Sequence, residues 1–166
     1  MSHLHPQHVD EVFEKWEFSD IDDGILGVKL MIEYFPTAAI YRKTDLNEHP
    51  KDENVSDKSK DLDLKLKEST GYEINDLWSN YSSDVLPIAW CLKKLTGEAG
   101  ITCTAPEYRR KGLASACTVA VCEEMIKCGD QPYVEIHGEN PASTTMHCKL
   151  GFVKSCQTVK FVYKKQ

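Results

Sequence analysis

The stretch PEYRRKGLASAC, residues 106–117, places three consecutive positive charges directly before a glycine. These four residues are Arg109, Arg110, Lys111 and Gly112. The small and apolar residues that follow predict a helix over 112–128, and ITCT at 101–104 predicts a strand just upstream. A strand–loop–helix junction leaves the first N–H groups of the helix without partners, at the positive end of its dipole. The stretch therefore predicts a turn that binds an anion, and the cations favour a diphosphate.

The residues around the predicted turn suit close approach by a phosphate. Gly112 has no Cβ, so a phosphate can come near the backbone, while Ala114 and Ser115 keep the next turn narrow. The sequence contains neither the G-x-x-x-x-G-K-[ST] pattern of a P-loop nor the G-x-G-x-x-G pattern of a dinucleotide fold. The alternatives for the basic triplet are a solvated patch and a short targeting signal.

Composition limits the classes of partner. The 166 residues fit one domain, 1–166, and 26 acidic against 20 basic residues give a formal charge of −6. This balance argues against a general nucleic-acid binder. No apolar run reaches the ~18 residues of a membrane span, so no membrane partner is expected. Residues 1–20 resemble neither a secretory signal nor a transit peptide, which predicts an intracellular, cytoplasmic protein.

Cysteine usage favours the same compartment. The seven cysteines are odd in number and form no C-x-x-C pair. They are interpreted as free thiols in a reducing environment, and no metal is expected.

The hydrophobic pattern along the chain predicts an α/β (α+β) protein. The predicted helices are 5–16, 22–35, 112–128 and 141–150, and the predicted strands are 37–41, 85–92, 99–104, 133–137 and 158–164. The unit 101–104, 112–128, 133–137 predicts a parallel, right-handed crossover. Between the first two strands, 43–84 is polar and mixed in charge, so its first part, 43–60, is predicted to be mobile.

Two motifs resemble the GNAT N-acyltransferase superfamily. R-x-x-G-x-A, at Arg109, Gly112 and Ala114, resembles its acyl-CoA pyrophosphate loop. NPASTTMHCKLGF at 140–152 resembles its N-x-x-(A/S)-x-x-x-Y-x-K-L-G-F segment. HPQHVDEVFEKWEF, FPT, LPIAW, TGE and PEYRRKGL are similar to the C-terminal catalytic half of glycine N-acyltransferase-like proteins. The resemblance implies a GNAT fold, a mixed central sheet flanked by helices, with 43–84 inserted between two hairpin strands.

The resemblance also implies an activity. It implies transfer of an acetyl or short acyl group from acyl-CoA, the co-substrate, to a primary amine such as glycine or another amino acid. Two alternatives stay open: a protein or peptide N-acetyltransferase, and a non-catalytic acyl-CoA-binding module. The partners implied are acyl-CoA and an amine acceptor. The oligomeric state stays open, and a mitochondrial location is the alternative that the family offers.

The resemblance assigns cofactor-binding roles to three segments. The backbone of the strand would pair with the pantetheine arm, and backbone N–H groups near Cys103 would stabilise the oxyanion. The turn would hold the pyrophosphate, and Asn140 would bind the pantetheine or thioester end. The residues concerned are Thr102, Cys103, Thr104, Arg109, Arg110, Lys111, Gly112, Leu113, Ala114, Ser115 and Asn140.

Two side chains are candidates for proton transfer. Glu98, at the start of the central strand, is the predicted general base, acting directly with a raised pKa or through a water. Its rivals are Glu135 and His137, and its structural alternative is a solvated turn residue. His147 is the predicted acid for the leaving thiolate, at a position where the superfamily often has Tyr, and its alternative is a surface histidine without a role. A covalent route through a cysteine lacks an identifiable base.

Overall fold

The computed structural model describes residues 2–16, 24–41 and 85–159. The helices are α1 Val9–Glu14, α2 Gly24–Tyr34, α3 Leu113–Lys127 and α4 Pro141–Lys149, and short 3-10 helices cover Pro6–His8 and Pro106–Tyr108. The strands are β1 Thr37–Ile40, β2 Ala89–Lys93 and β3 Ala99–Thr104. The four predicted helices and the first three predicted strands are thus confirmed. The insertion predicted over 43–84 lies outside the described residues.

Within the described residues the sheet is antiparallel, in the order β1–β2–β3. Trp90 pairs with Cys103 and Leu92 with Gly100, so the single residue Cys91 faces two residues of β3. This bulge includes Ile101, whose φ of 47° is in the left-handed region that a β-branched side chain rarely adopts. The bulge therefore reorients the side chains along β3.

Helices cover both faces of the sheet, as the predicted mixed α+β fold requires. The face under α1 and α2 is built on large apolar side chains: Leu4, Val12, Val28, Met31, Ile32, Trp90 and Leu92. The face under α3 is built on smaller ones: Ala38, Ala89, Cys91, Ala99, Cys117, Val121 and Met125. Small residues on the strands let α3 approach the sheet closely. None of the described helices combines the length and hydropathy that a bilayer-spanning segment requires.

The predicted strand at 133–137 and its parallel crossover are wrong. Residues 130–137 have no regular secondary structure, although the N–H of Ala99 donates to the carbonyl of Tyr133 at 2.9 Å. Exposure does alternate along this segment, with Val134 packed on the α3 face of the core. The alternation of polar and apolar residues predicts which side chains are buried. It does not predict a strand, because a strand also needs repeated backbone hydrogen bonds to a neighbouring strand. The predicted strand 158–164 is not formed at 158–159, and its remainder lies outside the described residues.

The chain divides into two compact units, Met1–Glu135 and Ile136–Gln166. The first contains the three-stranded sheet with α1, α2 and α3. The second contains α4, which ends before a glycine with a φ of 93°, Gly151. A single domain over 1–166 stays a prediction.

A buried histidine connects the N-terminal segment to the sheet. His8 is 1% exposed, and its Nε2 donates to the carbonyl of Val85 at 3.0 Å. Its Nδ1 accepts from the backbone N–H of His5 at 3.2 Å and lies 3.3 Å from the hydroxyl of Tyr41. This arrangement requires the neutral imidazole. Burial lowers the pKa of His8, although the Val85 carbonyl and nearby Glu11 act in the opposite direction.

The free energy of unfolding should therefore depend on pH through His8. The unfolded chain binds a proton near pH 6.5, whereas the folded chain resists protonation, so stability is full above about pH 6.5 and falls as the pH drops below it. Urea unfolding at pH 7.5 and 5.5 should show this loss, and His8→Gln should reduce it. His137→Gln, at an exposed histidine, is the control and should leave the wild-type loss intact. An equal loss in the His8 variant would contradict the assignment.

Candidate functional site

The turn between β3 and α3 has the backbone of an anion site. Gly112 is the N-cap of α3 with a φ of 78°, and Arg110 also has a positive φ, 64°. The first helical bond runs from the N–H of Ala116 to the carbonyl of Gly112 at 3.0 Å. The N–H groups of the first turn, on Leu113, Ala114 and Ser115, precede that bond, and the glycine N-cap has no side chain to cap them. They are suitably placed to bind an anion.

Space and charge at the turn suit a diphosphate. A Cβ built on Gly112 would meet nothing within 4 Å, so the approach to the helix end is open. Arg109, Arg110 and Lys111 are exposed. Arg109 Nε donates to the carbonyl of Thr104 at 3.1 Å, and Lys111 lies 5.2 Å from the ring centre of Tyr108. The structure therefore brings the basic triplet and the end of β3 together.

The side chains of β3 differ in their environments. Thr102 Oγ1 donates to Cys91 Sγ at 3.2 Å, on the α3 face. Cys103 packs against the core under α1 and α2, where burial raises the pKa of its thiol, which disfavours the covalent route. Thr104 Oγ1 is buried and has no hydrogen-bond partner among the described residues. A buried hydroxyl without a partner is costly, so Thr104 is suited to bind a ligand atom at the end of the strand.

The bulge supplies backbone groups at the same strand. In this bulge Ile101 and Thr102 together face the single residue Cys91, so β3 has one residue more than the regular ladder can pair. Backbone N–H groups in this part of β3, one or two residues before Cys103, are therefore the candidates for stabilising an oxyanion.

Glu98 is buried, which excludes the solvated turn alternative. It is 2% exposed, and its two carboxylate oxygens have different partners. Lys94 Nζ lies 2.8 Å from Oε1, and Thr96 Oγ1 donates to Oε2 at 2.5 Å. Burial acts to raise the pKa of Glu98, but the bonds from Lys94, Thr96 and the backbone lower it below its usual value. Glu98 is therefore an ionised carboxylate near neutral pH, and the raised pKa of a direct base is not present.

Lys94, Thr96 and Tyr133 are the neighbours of Glu98 that sequence reasoning missed. The hydroxyl of Tyr133 donates to the carbonyl of Thr96 at 2.7 Å. Burial raises the pKa of Tyr133, and the charges of Glu98 and Glu135 raise it further. The available signal was LKKLTGE at 92–98, where a lysine stands four residues before the glutamate.

The rival candidates lie on exposed positions. Glu135 is exposed at the end of the first compact unit, and His137 is exposed at the start of the second. His137 Nδ1 accepts from the N–H of Glu139 at 3.4 Å, within a turn.

His147, in the second compact unit, is buried rather than on the helix surface. It is 5% exposed, and its ring packs edge-on to Phe152 with 5.3 Å between ring centres. Its Nδ1 lies 2.8 Å from the carbonyl oxygen of Ser143, so Nδ1 carries a proton that it donates there. Burial lowers the pKa of His147, which favours the neutral ring with a lone pair on Nε2. The predicted acid role would require the imidazolium form.

Asn140 is the N-cap of α4. Its Oδ1 accepts from the N–H of Ser143 at 2.9 Å, so the cap uses the carbonyl oxygen of the side chain and not its Nδ2 amide. Nδ2 is the atom that would serve the predicted pantetheine contact.

Replacing Asn140 should therefore test its role as the N-cap of α4. Asn140→Ala should cost about 1 kcal/mol of stability through loss of the cap, whereas Asn140→Asp preserves the capping oxygen and should cost little. Chemical unfolding of both variants measures this effect. Equal losses in the two variants would contradict the capping role.

Within the described residues, no group of three or more His, Cys, Asp or Glu side chains is arranged to hold a metal ion. Lys93, at the end of β2, forms a 2.5 Å ion pair with Asp130, in the segment that follows α3.

Comparison with known proteins gives a family match and a fold match. Residues 83–161 match the family model described as FR47-like protein. The chain also resembles the X-ray structure of a Drosophila protein, with 15% identity and a TM-score of 0.58, over 92% of this chain and 38% of that one. The chain thus spans well under half of that protein. The comparison with curated proteins gave no match. The segment 83–161 is similar to FR47-like proteins, which are related to the GNAT N-acetyltransferases, and the chain has a GNAT-like mixed α+β fold.

Proposed function

We propose that this protein transfers an acyl group, acetyl or short acyl, from acyl-CoA to the primary amine of a small molecule such as glycine or another amino acid. The observation that carries the proposal is the turn at Gly112, where a left-handed glycine, an uncapped helix end and three cations meet. The similarity of 83–161 to FR47-like proteins supports the reaction class. We further propose that the chain acts as the glycine N-acyltransferase-like proteins do, whose catalytic half its sequence resembles.

The residues of the β3–α3 turn would hold the co-substrate. Acyl-CoA supplies an activated thioester, whose carbonyl accepts the amine. The N–H groups at the start of α3 and the cations 109–111 would bind its diphosphate. Thr104 Oγ1 and the backbone of Thr102 and Cys103 would line the arm, and Asn140 Nδ2 would donate to its far end.

Proton transfer would begin at Glu98. Because Glu98 is ionised and its oxygens are bonded to Lys94 and Thr96, it would accept the amine proton through a water molecule. N–H groups near Cys103 would stabilise the negative charge that develops on the carbonyl oxygen. His147, as the imidazolium, would supply the proton to the leaving thiolate from Nε2, because its Nδ1 proton is donated to the carbonyl of Ser143.

Two alternatives have some support of their own. The formal charge of −6 suits a cationic peptide or protein acceptor. The ion pair of Glu98 with Lys94 suits a structural carboxylate, as in a non-catalytic module that binds acyl-CoA.

The cysteines support a proposed compartment. All seven are free thiols, which suits a reducing intracellular compartment, with the cytoplasm as the first choice and mitochondria as the second.

A CoA-release screen separates these functions. Acetyl-, propionyl-, butyryl- and benzoyl-CoA would each be combined with glycine, other amino acids and a lysine-rich peptide. We expect release with a small amine. Release with the peptide alone selects the protein acetyltransferase, and CoA binding without release selects the module. Absence of both release and binding would contradict all three.

A further inference from the structure

Both oxygens of the Glu98 carboxylate are held by side chains of the turn that precedes β3. Lys94 Nζ bonds Oε1 at 2.8 Å and Thr96 Oγ1 bonds Oε2 at 2.5 Å. The backbone repeats the connection, since the N–H of Lys94 donates to the carbonyl of Glu98 at 2.8 Å and the N–H of Gly97 to the carbonyl of Lys94 at 2.9 Å. The orientation of the carboxylate is therefore determined by this turn.

Lys94 is itself held by Trp16, two residues after the end of α1. Its ammonium lies 5.4 Å from the ring centre of Trp16, and the side chain is 12% exposed. The neighbouring lysines have carboxylate partners of their own: Lys93 pairs with Asp130 and Lys15 with Glu11. Lys94 is thus the lysine assigned to Glu98. Burying such a pair removes both charges from water, and this cost can cancel the attraction between them. The pair is therefore not expected to add much to the free energy of unfolding, which favours a role in orienting Glu98.

We propose that Lys94 and Thr96 are positioning residues, which keep Glu98 ionised and oriented to accept a proton, with Trp16 holding Lys94 in place. The inference rests on the proposed function, because it takes Glu98 as the base. Other titratable groups near the carboxylate are Tyr133, whose hydroxyl donates to the carbonyl of Thr96, and Glu135, which acts on Tyr133. Neither supplies a cation to Glu98, so removal of Lys94 is the decisive change.

The test is the acidic limb of the pH profile of kcat/KM. Lys94→Met should move this limb to higher pH by roughly 1–3 units, because an adjacent cation lowers a carboxyl pKa by that amount. Lys94→Arg keeps the charge and should restore the wild-type limb. Thr96→Val removes the second bond and should move the limb in the same direction by less, and Thr96→Ser should restore it. Lys127→Met, which removes an exposed lysine paired with Glu124, is the matched control and should leave the limb unchanged.

A second readout does not depend on turnover. The 13C resonance of the Glu98 carboxyl, assigned by its loss in Glu98→Gln, should report a pKa below that of an ordinary glutamate in the wild type and a higher pKa in Lys94→Met. Melting curves show which variants are folded. If Lys94→Met does not fold, the acidic limbs of Lys94→Arg and Thr96→Val are measured in its place.

The outcomes separate the inference from the proposed function. An inactive Glu98→Gln together with unchanged limbs in Lys94→Met and Thr96→Val overturns the inference and leaves Glu98 as the base. A Glu98→Gln variant as active as the wild type overturns the inference together with the assignment of Glu98 as the base, and leaves the proposed acyl transfer in place. An unchanged carboxyl titration in Lys94→Met overturns the inference whether or not any acyl-CoA is turned over.

Discussion

Glu98→Gln is expected to lower turnover by about 10²–10⁴-fold near pH 7, the usual contribution of a general base. Gln keeps the shape of the side chain, so CoA should bind as before at the β3–α3 turn. It has no carboxylate to accept the amine proton. The loss should diminish at high pH, where the amine deprotonates without assistance. Steady-state rates from pH 6 to 10 measure this recovery.

A matched variant separates loss of the base from loss of a charge. Glu124→Gln removes a partly exposed carboxylate from its 2.6 Å pair with Lys127, and should leave the rate unchanged. An unaltered rate in Glu98→Gln would move the base to Glu135 or His137, each of which can then be replaced in turn. A variant that binds no CoA would show instead that the substitution disturbs the fold around Lys94.

The fold was predictable where local signals determine it. The helices α2 and α3 follow apolar periodicity, and α3 is followed by a glycine with a φ of 85°, Gly129, as its composition predicts. The strands β1 to β3 follow from short apolar runs, and a turn on Gly97 separates β2 from β3. The segment 133–137 alternates in exposure but forms no strand ladder, because hydrogen bonding to a neighbouring strand is a tertiary property.

The bulge in β3 left a faint signal. Gly100 inside a strand often marks a bulge, and Leu92 pairs with it immediately before the irregularity. The strained residue is Ile101, however, whose β-branched side chain is typical of a regular strand. The composition of β3 therefore predicts a regular strand, whereas its backbone is irregular at Ile101, in the strand that carries part of the candidate site.

The candidate site was predictable in its main-chain part and less so in its side chains. The anion turn follows from local sequence, since Gly112 and the cations are neighbours. The burial of Glu98 does not follow from local sequence, because TGE is typical of an exposed turn. Its carboxylate pairs with Lys94, and Lys94 contacts Trp16, which lies 78 residues earlier in the sequence. The burial of His147 was not predictable either, because its contact with Phe152 depends on the turn that follows α4.

Gly112→Val is expected to abolish the stabilisation that CoA gives. At about 100 times Kd, CoA should raise the free energy of unfolding of the wild type by about 2.7 kcal/mol. Valine disfavours the φ of 78° that turns the helix N–H groups toward the ligand, and its side chain would enter the open space over the helix end. Chemical unfolding with and without CoA should therefore give one midpoint for this variant and two for the wild type.

Gly129→Val provides the control, because Gly129 follows the other end of α3 under the same constraints. Its φ is 85°, and a Cβ there would also meet nothing within 4 Å. Both variants should lose roughly 1–2 kcal/mol without ligand, the cost of a left-handed residue with a side chain. Gly129→Val should keep the full response to CoA, since the positive end of the helix dipole and the cations are at the opposite terminus. If Gly112→Val responds to CoA as Gly129→Val does, the β3–α3 turn does not hold the diphosphate, and the co-substrate must bind elsewhere.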